Sequence, residues 1–305
     1  MSARLGLLQV CAAGVLWGTG GLVVTVLHER DGVSAMTVSA WRMAIAALAL
    51  IGFVLVAGRF GSVWRTFREH PVLAIVIGAG TAAYQGLYFV SVLMAGVTVA
   101  TVVSLGLAPV LAAAWEHARA GTRPGPRDLV VLGSALLGLI LISVTGHHGS
   151  AAPDDRPVLG LALAVAAGAT YAATTVLGHA LAQQVDPVDL TTCATTAGAV
   201  LLLPFLGVAA AQGAPVAGTS PTSLALLLYL GVATMALAYG LLYAGLRTTS
   251  GSAATVATLV EPISAAALAA ALLGERLSAV AVVGAVLILA AVVGLRPEDE
   301  RPVAV

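Results

Sequence analysis

Glu261 stands directly before Pro262 near the middle of an apolar stretch, Gly251–Leu277, that is long enough to cross a bilayer. A carboxylate at that depth is expensive, so it is expected to have a partner or to face a wet cavity. There it can bind a substrate ammonium group or carry a coupling proton. The structural alternative is a protonated or arginine-paired group that holds helices in place. Pro262 cannot donate to the Thr258 carbonyl four residues earlier, so that acceptor is expected to be free at the same depth. Arg42 lies inside another apolar stretch. At 1.5 Å per residue it sits roughly 13 Å below the outer surface and Glu261 roughly 18–20 Å below it, a gap that an arginine side chain can reach. Arg42 can grip a substrate carboxylate through paired hydrogen bonds, pair with Glu261, or snorkel to the interface.

Aromatic residues complete the chemistry. Tyr84 and Tyr88 are four residues apart, as are Tyr239 and Tyr243, so each pair shares one helix face. With Trp17 and Tyr171 they are candidates for a chamber of rings with a few polar tips, which suits a small amphipathic solute. Tyrosine near a helix end also serves as an interfacial anchor, the competing reading for Tyr88 and Tyr243. Gln85 is expected to pack, and Trp64 and Trp115 to belong to the interfacial belt.

The elements that must hold these groups are membrane helices. Of 305 residues, 59% are hydrophobic and 9% charged, with a mean hydropathy of +1.01. A soluble domain carries about 25% charged residues. Ten apolar windows follow at roughly Leu5–Leu27, Val33–Ala57, Pro71–Met94, Val97–Ala118, Leu129–Thr145, Val158–Ala182, Val188–Ala210, Leu224–Leu246, Gly251–Leu273 and Val280–Leu295. The first, after Arg4, continues without a clear cleavage site and is taken as a membrane helix rather than a signal peptide. Short connections join the windows, and no soluble domain is expected. All basic residues are Arg. With the N-terminus in the cytoplasm, Arg4, Arg59, Arg65, Arg68, Arg119, Arg123, Arg127, Arg247, Arg296 and Arg301 face inward, against Arg30, Arg156 and Arg276 outside. Both termini are therefore expected in the cytoplasm.

The chain is a duplication. Val97–Arg123 is a weaker copy of Gly251–Leu277, with Pro109 matching Pro262, Gly121 matching Gly274, and Ala108 in the place of Glu261. Gly14-Val15-Leu16-Trp17 matches Gly168-Ala169-Thr170-Tyr171, and the tyrosine pairs correspond after a small indel. Pro109 and Pro262 are expected to break their helices. The expected fold is an all-α membrane protein of ten transmembrane helices in two five-helix repeats: residues 1–146, a linker at 147–157, residues 158–297 and a cytoplasmic tail at 298–305. Five is odd, so the repeats are inverted, an arrangement that holds substrate near the midplane between them.

Other polar groups give little. Cys11 and Cys193 lie in apolar spans and read as packing residues. Glu275 and Arg276 read as a helix-end charge pair. His147 and His148 precede Asp154 and Asp155, but their spacing matches no metal site. His179 reads as a polar cap. Nucleotide loops, triads and zinc motifs do not occur, so neither ATP-driven transport nor an enzyme is expected. No basic tract points to nucleic acid.

On Trp17-Gly18, Trp41-Arg42, Ala253, Glu261-Pro262-Ile263 and Leu273-Gly274-Glu275-Arg276-Leu277, the chain resembles the EamA-type members of the drug/metabolite transporter superfamily, from about Leu5 to Leu295. It departs from them at Gly121-Thr122-Arg123, which lacks an acidic residue. It departs again at Met94, where members often carry a basic residue, as Arg247 does in the eighth span. The resemblance implies a small-metabolite carrier in the inner membrane, frequently an exporter of amino acids or related compounds. One Glu accompanied by one Arg favours a zwitterion over the cationic drugs of a multidrug or lipophilic-compound exporter, the alternative. A lipid-acting enzyme and a non-transporting scaffold are further readings, and neither accounts for a midplane Glu-Pro. Expected partners are a small-molecule substrate and the bilayer, with a homodimer left open. No cofactor is expected.

Overall fold

A computed structural model describes residues 3–145, 157–273 and 277–295. The linker before Pro157, the C-terminal tail, His147, His148, Asp154, Asp155, Gly274, Glu275 and Arg276 lie outside the described residues. The helices are α1 (Ala3–Asp31), α2 (Ala35–Val56), α3 (Phe60–Glu69), α4 (Pro71–Ala95), α5 (Val97–Ala120), α6 (Pro126–Thr145), α7 (Pro157–Ala182), α8 (Pro187–Ala211), α9 (Pro221–Gly231), α10 (Ala238–Gly245), α11 (Gly251–Ala257), α12 (Val260–Leu273) and α13 (Ala279–Gly294). Among the described residues, nine spans are long and apolar enough to cross a membrane, with α9–α10 and α11–α12 each counting once; α13 is a shorter apolar helix. Their outward faces are apolar, as at Leu8, Val72 and Leu228, which suits contact with lipid.

Local sequence sets the boundaries. Pro71, Pro187 and Pro221 open helices where a missing N–H costs nothing. Ser34, Asp186, Ser220, Ser250 and Ser278 cap helix N-termini with their side chains. Gly96, at φ 85°, is the sole residue between α4 and α5, a backbone turn that a side chain would strain.

The packing follows the duplication. In the first half α1 packs on α10, α11 and α12; in the second, α7 packs on α4 and α5. The second helices pair with each other, α2 on α8, and the last ones likewise, α6 on α13. A Cβ built on Gly138 would lie 2.5 Å from the Gly284 carbonyl oxygen, and one on Gly284 would lie 2.7 Å from that of Gly138. Only glycines allow the α6–α13 backbones to meet this closely. At the end carrying Arg59, Arg119 and Arg247, a core of Val10, Ile77, Leu181, Leu190 and Leu246 fills the space between α1, α4, α7, α8 and α10.

Local features add to the sequence expectations or depart from them. The connection after the second span contains α3, a short helix with exposed Phe60 and Trp64 beside Arg65 and Arg68. It is too short and too charged to span, and its mixed faces suit a membrane surface. The eighth span is not uniformly α-helical: Val232–Leu237 is a π-helical turn. The ninth span is divided at Thr258–Leu259. Pro262 falls in the first turn of α12, where its missing donor is tolerated. Pro109, expected to break its helix, lies inside a continuous α5. It is buried there beside α7, whose Gly168 sits against the Ser104 carbonyl and Leu107, so surrounding packing supports the helix across the proline.

Candidate functional site

Six spans supply the candidate residues: Trp17 from α1, Arg42 from α2, Tyr84 and Tyr88 from α4, Tyr171 from α7, Tyr239 and Tyr243 from α10, and Glu261 from α12. The rings form two chains. Trp17 meets Tyr239 at 5.1 Å between centroids, and Tyr239 meets Tyr243 at 6.0 Å. Tyr171 stacks on Tyr84 at 5.1 Å, and Tyr84 lies 6.1 Å from Tyr88. A small void of about 10 Å³ separates the chains, lined by Tyr84, Tyr171, Tyr239, Tyr243 and by Thr81, Thr174 and Thr175. That is room for about one water among rings and hydroxyls. Tyr243 is 2% exposed, so its ring is buried in protein rather than turned toward lipid.

Glycines bring α1 to the division between α11 and α12. A Cβ on Gly14 would lie 3.0 Å from the Thr258 carbonyl oxygen, and one on Gly18 would lie 2.5 Å from that of Glu261. The Thr258 carbonyl, expected to be free, accepts the Glu261 backbone N–H at 2.9 Å. A tighter i→i+3 bond has replaced the one that Pro262 cannot make. The Thr258 side chain donates to the Thr255 carbonyl and shares a 2.9 Å hydrogen bond with the Tyr171 hydroxyl.

Glu261 is half-buried, and its charge acts on Arg42 and on Tyr84, Tyr88, Tyr171 and Tyr239. Its carboxylate accepts no hydrogen bond among the described residues, which hold ion pairs only at Arg59–Asp186, Arg59–Asp189 and His117–Asp128. The direct Arg42–Glu261 pair left open by the sequence is therefore not formed. Arg42 donates instead from Nη2 to Thr234 Oγ1 at 3.2 Å, and its Nε is buried without a partner. Thr234 lies in the π-helical turn. An acceptor on α12 and a donor on α2 thus accompany the aromatic cluster.

Sequence reading missed the threonines that hold the cluster. Thr234 takes Arg42, Thr101 bonds the Tyr88 hydroxyl at 2.8 Å, and Thr258 bonds Tyr171. Their only signal is a hydroxyl at the depth of a tyrosine or arginine on a facing span. His179 caps as expected: its Nδ1 and the Gln183 amide both lie 2.8 Å from the Leu246 carbonyl at the end of α10. Among the described residues no cluster of three or more His, Cys, Asp or Glu is suited to a metal.

Two halves of five apolar spans each, cross-packed around a polar and aromatic centre, define a multi-pass membrane transporter fold. The chain belongs to the EamA-like transporter family, whose model matches residues 4–144 and again 158–296. It is 27% identical over 302 residues to the uncharacterized inner membrane transporter YicL of Salmonella typhimurium, covering 98% of both chains. It is 26% identical over 268 residues to the uncharacterized transporter YwfM of Bacillus subtilis, covering 86% of this chain and 84% of that one. One crystal structure superposes with a TM-score of 0.77 over 95% of each chain at 19% identity, a likeness of fold alone.

Proposed function

We propose that this transporter is a secondary carrier that exports a small, amino acid-like zwitterion across the inner membrane by alternating access between two inverted repeats. The observation that carries the reading is the Glu261 carboxylate, without a hydrogen bond or ion pair among the described residues, together with the Arg42 guanidinium, whose Nε is buried without a partner among them. An ammonium group on Glu261 and a carboxylate on Arg42 would be held by charge-assisted hydrogen bonds, with the rings packing the body of the solute. Burial along the ninth span supports a form closed at the arginine-rich end. From Gly251 to Leu259 every position but Ser252 is buried, whereas Val260 to Ala266 is half-buried throughout. The name of the relative YicL supports the inner membrane as the location.

The test is uptake and efflux of an amino acid and metabolite panel in proteoliposomes, with and without a pH gradient, for wild type and Glu261→Gln. A variant that inserts normally but loses at least tenfold in flux, or loses its response to the gradient, supports binding or coupling at Glu261. Wild-type flux and pH response in a folded Glu261→Gln protein overturns it. Transport confined to lipophilic cations would move the assignment to a multidrug exporter.

A further inference from the structure

Gln85, expected to be a packing residue, is 6% exposed, and neither its side-chain oxygen nor its nitrogen has a hydrogen-bond partner among the described residues. Ser39 is 0% exposed, and its hydroxyl is also unpartnered. Arg42 Nε, three residues after Ser39, is a fourth such atom. A serine buried in a helix normally returns its hydroxyl to the carbonyl four residues earlier, as Thr81, Thr170 and Ser104 do here. A buried polar group without a partner costs free energy.

Packing places their helices side by side. Met36 of α2 touches Gly86 of α4, with its terminal methyl 3.2 Å from where a Cβ would stand. Further along the same face Met43 packs in one cluster with Ala82 of α4. α2 and α4 are consecutive spans in direct contact, so they run antiparallel. Ser39 lies between Met36 and Met43 on that face, and Gln85 lies beside Gly86 and one turn from Thr81 and Ala82. Thr81 lines the tyrosine void. Gln85 shares the helix face of Thr81, one turn from the void, and Arg42 follows Ser39 by three residues, on the adjoining part of the α2 surface.

We propose that Gln85, Ser39 and the Nε edge of Arg42 form a donor-rich subsite that selects substrates bearing a carboxylate. The subsite rests on the transport reading above and deepens it: Glu261 takes the ammonium group, and the Gln85 amide and Ser39 hydroxyl turn a charged contact at Arg42 into recognition of a carboxylate. Buried polar atoms without protein partners gain them from a bound acid, which is how a polar site rejects an analogue lacking that group.

The experiment measures binding to the purified full-length protein in nanodiscs by melting temperature and titration, using the standard amino acids and their carboxamides. Wild type should bind at least one amino acid more tightly than its amide. Gln85→Leu should lose about tenfold in affinity for the acid, the scale of one charge-assisted hydrogen bond, and change its affinity for the amide by less than about twofold. Ser39→Ala should shift the same ratio in the same direction. Without ligand, Gln85→Leu should melt at or above the wild-type temperature, because an unpaired buried amide has been removed. An unchanged acid-to-amide ratio in both variants, with Glu261→Gln still impaired, overturns the subsite and leaves the proposed function standing. If no amino acid binds wild type, the substrate class is wrong and the subsite falls with it.

Discussion

Tyr171 ties α7 to the division in the ninth span through one hydroxyl pair, the 2.9 Å contact with Thr258. Thr258 keeps a second bond to the Thr255 carbonyl, so losing the first leaves it satisfied. Tyr171→Phe should therefore cost only about 1 kcal/mol, whereas Tyr171→Ala also loses a buried ring stacked on Tyr84 and should cost about 3–5 kcal/mol. Thermal unfolding of the two variants in detergent checks the ordering; equal losses would mean that the hydroxyl, not the ring, holds the contact. The ring positions and the charges were legible in the sequence because ionisable and aromatic groups stand out inside apolar spans. The partners were not. Thr234 already donates to the Leu230 carbonyl, as any membrane threonine can, so nothing in its own surroundings announces Arg42. Nor does the chain announce that the Thr258 carbonyl is taken by the Glu261 N–H, because the tighter turn depends on how α1 approaches at Gly14 and Gly18.

Helices in this protein are defined as much by their irregularities as by their spans. Two matching prolines gave the same sequence expectation and different outcomes. Pro262 lies in the first turn of a new helix, while Pro109 is carried through α5. The sequence difference beside them, Glu261 against Ala108, does not by itself dictate that split; packing on α1 and α7 does. α3 went unread because ten residues with two arginines fall below any membrane window. The turn leading into α3 nevertheless makes a firm inter-repeat contact. Arg59 bonds Asp186 at 2.8 Å and Asp189 at 3.2 Å, and Ser62 donates to Asp189, which is 1% exposed. Both carboxylates sit at the N-terminus of α8, where the helix dipole favours them. Arg59→Ala strands Asp189 and should cost about 3 kcal/mol, and adding Asp189→Asn should recover part of that loss by removing the stranded charge. Melting temperatures of the single and double variants decide it. An unchanged single variant would mean that the triad is worth nothing at this interface.

At the scale of the whole molecule the duplication was the most legible feature, because it leaves paired marks: Gly14 with Gly168 and Pro109 with Pro262. The packing reproduces it, with α1 against α10–α12 and α7 against α4–α5, and the family model matches each half separately. What the fold alone leaves open is which way the halves point, since exchanging the two sides of the bilayer preserves every contact. Arginine distribution supplies the missing vector. Arg59, Arg65, Arg68, Arg119, Arg123, Arg127 and Arg247 lie at one end of the helices, with Arg30 at the other. Such clusters in short loops are retained in the cytoplasm during insertion. A fluorescent protein fused after Val305 should therefore fluoresce, and a reporter active only in the periplasm should stay silent there. Arg123→Cys, in the turn between α5 and α6, should resist a membrane-impermeant thiol reagent in intact cells and react once the membrane is opened. The opposite pattern at both positions would invert the molecule. It would place the arginine-rich end outside and turn the half-buried stretch from Val260 to Ala266 toward the cytoplasm.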